Sequence, residues 1–200
     1  MALDYRSLIL EAGTHFRLVP LDLSFDDTLF ELIDLSRNEL ALWFPWCTTD
    51  YGLAETRRWL QSRERARSEG RCFDFAVTRT TDGELVGAGG IDRIQAPHRV
   101  GNLYFWTGTP YSGQGAATVA VTSLVEFSMH RLGLVRLEIL VPERHRAAER
   151  VVEKVGASRE VLLRNRFILQ GELQHAYLFS VLGSLQDRLP TQNPRWEKVA

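Results

Sequence analysis

The chain has 200 residues, 44% hydrophobic and 24% charged, with a formal net charge of −1. That suits an ordinary α/β globule with a sizeable core, and it gives bulk electrostatics no hold on nucleic acid, so no nucleic-acid partner is expected. No stretch approaches the roughly 20 apolar residues of a membrane span, the first residues lack the basic-then-apolar order of a signal peptide, and Cys47 and Cys72 have neither metal spacing nor a disulfide framework, so a cytoplasmic protein without a metal site or membrane contact is expected.

Residues 15–21, HFRLVPL, alternate like a short strand, and an acidic helix start follows at Asp26 and Asp27. Helical spacing through Leu29, Leu32 and Ile33 predicts a helix over 26–38. Leu42 to Trp46, LWFPW, is an aromatic break that Pro45 enforces. Thr49 and Asp50 are candidate caps for an arginine-rich helix over about 52–68 that ends at Gly70. Residues 73–79 and 85–92 read as a hairpin around Asp82-Gly83, and a loop over 93–100 leads to an aromatic strand at 102–107. After a glycine-rich turn, a helix begins at Ala116. Residues 136–141 form a strand, and a helix over about 146–155 stops at Gly156. Two closing strands, 157–167 and 174–182, turn at Gln170-Gly171. The segment from Ser184, with Pro190 and Pro194, reads as an irregular tail, leaving 1–183 as a single domain. Hairpins mixed with crossover helices predict a mixed, mostly antiparallel sheet flanked by helices.

The chemistry gathers at residues 102–121, NLYFWTGTPYSGQGAATVAV, where strand, glycine loop and helix start follow one another. The first N–H groups of a helix lack intrahelical partners and carry partial positive charge. Gly113 and Gly115 have no Cβ, so the loop can turn sharply and a phosphate can approach the backbone. The stretch therefore reads as a seat for a cofactor diphosphate. A dinucleotide motif beginning at Gly113-Gln114-Gly115 fails at Thr118, where a third glycine belongs. A nucleotide-hydrolysing phosphate loop would need Gly-Lys-Ser/Thr, which is absent.

Residues 14–182 resemble the GNAT acyltransferases, in particular the RimJ/RimL-like branch that acetylates protein N-termini and small amines. The likeness rests on the opening strand FRLVPL with its Asp-rich helix start, on LWFPW followed by ETRRWL, on the loop SGQGAAT, and on ERHRAAERVVEKVGA at 143–157. Ser112 stands where Gln or Arg is usual, His145 where Asn is usual, and Ala148 where a proton-donating Ser is usual. His175 takes the place of the branch's last-strand Asp. The resemblance implies a GNAT-like fold in which the central strand splays from the strand at 136–141. It implies acetyl-coenzyme A (acetyl-CoA) as cosubstrate, its diphosphate on the amides of Gly113, Gln114, Gly115, Ala116, Ala117 and Thr118, with Ser112 beside it in place of the usual phosphate contact. Its pantetheine arm would run along Phe105, Trp106 and Thr107, with His145 also in contact. The expected reaction is acyl transfer to a primary amine of a protein N-terminus or small molecule. Asp92 and Glu138 are candidate bases, Trp43, Trp46, Trp106 and His175 candidate walls of the acceptor pocket, and a homodimer is implied by likeness. Ala148 and Ser112 also admit a coenzyme-binding sensor without turnover.

Overall fold

The computed structural model describes residues 5 and 8–183; the tail expected from Ser184 lies outside them. In chain order the elements are β1 (Leu10–Ala12), β2 (Phe16–Pro20), α1 (Asp26–Leu35), α2 (Arg37–Trp43), α3 (Leu53–Ser68), β3 (Phe73–Arg79) and β4 (Leu85–Gln95). They continue as β5 (Val100–Thr107), α4 (Ala116–Glu126), β6 (Arg136–Pro142), α5 (Arg146–Lys154), β7 (Ser158–Leu169) and β8 (Glu172–Leu182). The eight strands form one sheet in the order β1-β2-β3-β4-β5-β6-β8-β7. Every neighbouring pair is antiparallel except β5 and β6.

Strand alternation sends apolar side chains to both sheet faces, because both are covered. Phe75, Val77, Ile91, Leu103, Leu137 and Ile139 pack with Val121 and Leu124 of α4 and Val152 of α5. Their neighbours Ala76, Ala88 and Trp106 meet Leu29, Leu32 and Ile33 of α1 and Leu60 of α3 on the opposite face. Helices therefore sandwich a sheet that is apolar on both sides.

The polar residues on the α1–α3 face are the exceptions, and they organise it. Asp74 on β3 is fully buried. Its carboxylate accepts two bonds from Arg63 of α3, at 2.8 and 2.7 Å, and a third from the Tyr104 hydroxyl of β5 at 2.6 Å. Tyr5 donates to the Asp74 carbonyl. Three elements are thus fastened at one carboxylate. The glycines of β4 make room for this: a Cβ on Gly90 would sit 3.1 Å from the Tyr104 hydroxyl and 2.5 Å from the Phe73 carbonyl oxygen.

Several boundaries differ from the sequence expectation, each for a local reason. The first helix does not run to residue 38. It breaks at buried Ser36, whose hydroxyl accepts the Thr109 N–H at 3.0 Å and ties the α1–α2 joint to the residues just past the end of β5. The aromatic break begins only at Phe44, extended as the residue before a proline should be. α3 starts at Leu53, its cap bond running from the Gly52 N–H to Glu55 Oε2 at 3.0 Å rather than to Thr49 or Asp50. β1, three residues pairing with β2, is too short to leave a periodic signal. β4 continues to Gln95 through a bulge where a loop was expected.

Truncating Asp74 to alanine leaves Arg63 and Tyr104 facing an apolar interior without their acceptor. Removing one partner of a buried pair costs about 3–5 kcal/mol. Urea unfolding of Asp74→Ala should show a loss of that size; a change below about 1 kcal/mol would mean the carboxylate is not a fastening point.

Candidate active site

β5 ends at Thr107, and the next residues are stapled to their surroundings. Gly108 N–H donates to the Val86 carbonyl at 2.9 Å, and Tyr111 N–H to the Gly108 carbonyl at 2.9 Å. Gly113 (φ +76°) and Gly115 (φ +87°) are both left-handed, a conformation that side chains with a Cβ adopt at a cost. A Cβ at either would meet nothing within 4 Å, so open space lies against the backbone. Gly115 caps α4 with no side-chain bond. The loop and cap hydrogen bonds resume only where Val119 N–H donates to the Gly115 carbonyl at 3.2 Å, so among the described residues the N–H groups of Gly113 to Thr118 have no acceptor. Gln114 turns aside to donate to the Pro110 carbonyl at 3.1 Å, and Ser112 is exposed beside the loop. Six backbone donors at a helix start, with room before them, fit a diphosphate.

The second feature is a gap in the sheet. β5 and β6 pair in parallel only at Val100 with Arg136, Gly101 with Leu137, and Asn102 with Glu138. Beyond that point the strands part, and a cavity of about 540 Å³ opens between them. Residues 102–106 form one side and residues 139–142 the other, with His145 and Ala148 of α5 beyond. Trp43, Phe44, Pro45, Trp46, Tyr51 and Trp59 enclose it from the α1–α3 side. Among the described residues the edge of β5 facing the gap has no strand to pair with, so its backbone groups can bind an extended arm as an added strand would.

Polar groups in this aromatic chamber are few. Asp92 on β4 accepts from Asn102 Nδ2 at 2.8 Å, and Arg63 lies 4.0 Å from its other oxygen. Tyr104 is pushed well above the usual tyrosine range, first by burial and then by the Asp74 charge, so its hydroxyl keeps its proton. His145, at the start of α5, stacks on Trp43 with ring centroids 4.1 Å apart and planes 9° from parallel. Burial there holds its imidazole down to about 4, leaving it neutral at pH 7.

The residues singled out from the sequence separate into three groups. Asp92, Phe105, Trp106, His145, Trp43 and Trp46 line one cavity, while Ser112 to Thr118 form the cradle past the end of β5. Thr107 pairs with Gly87 at the strand end and is outside the cavity lining. Glu138 and His175 are outside it too. Glu138 accepts from Arg136 Nε at 2.9 Å, and His175 Nδ1 accepts the Asn165 N–H at 3.0 Å across a bulge in β7. Arg63, Asn102 and Tyr104 were not anticipated. The signal for Tyr104 and Asn102 was available in strand alternation, since residues 102, 104 and 106 share a face.

The depressed His145 imidazole carries a stability consequence with a definite sign. Its ordinary value is 6.5 and its folded value about 4, so between those pH values the unfolded chain binds more protons. Stability is then fully present above pH 6.5 and falls as the pH drops towards 4, by on the order of 2–3 kcal/mol. Urea titrations at pH 7 and pH 4.5 should show less of this loss in His145→Asn than in the parent. An equal loss in both would remove His145 from the acid response.

Residues 15–158 match the family description "Acetyltransferase (GNAT) domain". The chain is 24% identical over 130 residues to the uncharacterized N-acetyltransferase p20 of Bacillus licheniformis, covering 65% of this chain and 73% of that one. Its fold is that of the ribosomal L7/L12 α-N-protein acetyltransferase RimL solved in complex with coenzyme A (TM-score 0.83, 17% identity, 88% of this chain and 98% of that one). It is equally that of RimJ from Mycobacterium smegmatis in complex with coenzyme A disulfide (TM-score 0.82, 18% identity, 90% and 89%). The family match spans most of the chain and the fold agrees with it, so the chain belongs to the GNAT acetyltransferase family and is an acetyl-coenzyme A-dependent N-acetyltransferase.

Proposed function

We propose that the protein works as a single domain over residues 1–183, in the cytoplasm, transferring an acetyl group to a primary amine of a protein N-terminus or small molecule. The observation that carries this reading is the parting of β5 and β6 beyond Asn102, with the unpartnered N–H cradle at the far end of β5. Acetyl-coenzyme A supplies an acyl group already activated as a thioester. The N–H groups of Gly113 to Thr118 hold its diphosphate, and the free edge of β5 holds its arm. A backbone N–H on that edge donates to the carbonyl oxygen where negative charge builds, a contribution worth about 10²–10³ in rate when well placed.

Asp92 is the base in this scheme. It lines the cavity at the point where β5 and β6 separate, and Asn102 fixes one oxygen and leaves the other facing Arg63. The acceptor must lose a proton to attack, and Asp92 takes it directly or through one water. Ala148 lines the cavity but has no proton to give, and the Tyr104 hydroxyl is committed to Asp74, so the departing thiolate takes its proton from solvent. The aromatic wall of Trp43, Trp46 and Trp106 gives the acceptor a flat, dry surface on which to be oriented.

A thiol-release assay with acetyl-coenzyme A and an amine and peptide panel tests this reading. The parent should turn over at least one amine, and Asp92→Asn should lower kcat by about 10²-fold while coenzyme binding by calorimetry stays near the parent's. An unchanged rate removes Asp92 as the base. Tight coenzyme binding with no amine accepted from a broad panel would favour the sensor reading that Ala148 and Ser112 raise.

A further inference from the structure

The acceptor side of the cavity contains two arginines that the transfer chemistry does not use. Arg93 and Arg166 both line it, and among the described residues neither has a carboxylate partner. Arg63, which lines the same cavity, is bonded to Asp74, whereas Arg93 and Arg166 are exposed at its rim, Arg166 lying over the Phe167 ring at 5.6 Å. The one carboxylate in the cavity lining is Asp92, and His145, which also lines it, is neutral.

Asp92 and Arg93 line the cavity together, as do Arg166 and Phe167. Each pair sits at a bulge. Between the partners Asp92–Asn102 and Gln95–Val100, β4 has two residues where β5 has one. Between Leu163–Ala176 and Phe167–Gln174, β7 has three residues where β8 has one. At each bulge a residue with a Cβ takes the left-handed conformation, Arg93 at φ +49° and Asn165 at φ +51°. The Asn165 N–H is pinned by His175 Nδ1 at 3.0 Å. Bulges re-aim side chains next to active sites, and backbone strain of this kind persists where the surroundings enforce it.

From this we infer that the acceptor amine belongs to a molecule that also bears an anionic group, a carboxylate or phosphate, which Arg93 and Arg166 bind. Two unpaired guanidinium groups repel an amine that brings only positive charge, and they offer forked donors to a planar carboxylate or a phosphate. The coenzyme's own diphosphate is the wrong occupant. Arg93 lies opposite Gly101 near the start of β5, and the cradle follows Thr107 at its end, about 20 Å away at strand spacing. The inference rests on the acceptor reading above, and its test separates the two.

Matched amines that differ only in charge decide the matter. Phosphoethanolamine is compared with ethanolamine, and the peptide amide Ser-Glu-Glu-Ala with Ser-Gln-Gln-Ala, each with acetyl-coenzyme A. The anionic member of at least one pair should have a kcat/KM at least tenfold higher, and the pair that responds tells a small molecule from a peptide. Arg93→Ala and Arg166→Ala should each cut that preference at least fivefold through the acceptor KM, with the coenzyme Kd within twofold of the parent. Arg93→Gly removes the guanidinium and the strain together, so the preference should fall while the melting temperature does not. Equal kcat/KM within both pairs overturns the inference and leaves the acetyltransferase reading standing, as does a rise in coenzyme Kd in place of acceptor KM. If no amine in the panel is acetylated, calorimetry of the coenzyme-loaded protein with phosphoethanolamine decides. Binding that the Arg93→Ala/Arg166→Ala double variant loses supports the inference, and no binding to the parent overturns it.

Discussion

The proposed function depends on a hydrogen-bond ladder that stops early. A parallel pair continued over its full length would satisfy the backbone of β5 and leave a closed sheet. Here β5 and β6 pair at three positions and then separate. The separation exposes one edge of β5 and opens a chamber between the two strands. Its far end leads straight into the unpartnered donors of Gly113 to Thr118. In the function proposed above, this one interruption supplies the arm's binding edge, the reaction chamber and the route to the anion cradle.

A gap in the middle of a sheet needs support from outside it. The carboxylate of Asp74 provides this on the α1–α3 face, binding α3 through Arg63 and β5 through Tyr104. The same Arg63 lies beside Asp92, so the fastening group and the candidate base belong to one charged cluster. On the other rim, His145 stacks on Trp43 and connects α5 to α2. The cavity walls are therefore held by a few strong, directional contacts set among apolar packing, which suits a site that must stay open without collapsing.

Much of this arrangement was legible in the residues. The order of aromatic strand, SGQGAAT and helix start pointed to the loop whose N–H groups are unpartnered, because glycine spacing and helix polarity are local properties. The aromatic wall was visible as LWFPW. The Arg63–Asp74–Tyr104 fastening was not, since Arg63 is one of many arginines on α3 and its partner lies across the sheet. Glu138 shows the limit of alternation from the other side. It shares the cleft-ward parity expected of it, but Arg136 two residues earlier has the same parity and takes its carboxylate. Arg93 escaped notice because residues 93–100 read as a loop, and Arg166 because a period-two reading has no place for a bulge. His175, expected at the acceptor wall, instead accepts a backbone N–H across that bulge.

Amide hydrogen exchange with and without saturating coenzyme A tests the central claim most directly. Exchange at residues 113–118 and 103–107 should slow sharply on binding, as the cradle and the free edge of β5 gain partners, with little change along the solvent face of α3. Unaltered exchange at those amides, with coenzyme bound stoichiometrically by calorimetry, would place the cosubstrate elsewhere and contradict the reading of the interrupted ladder.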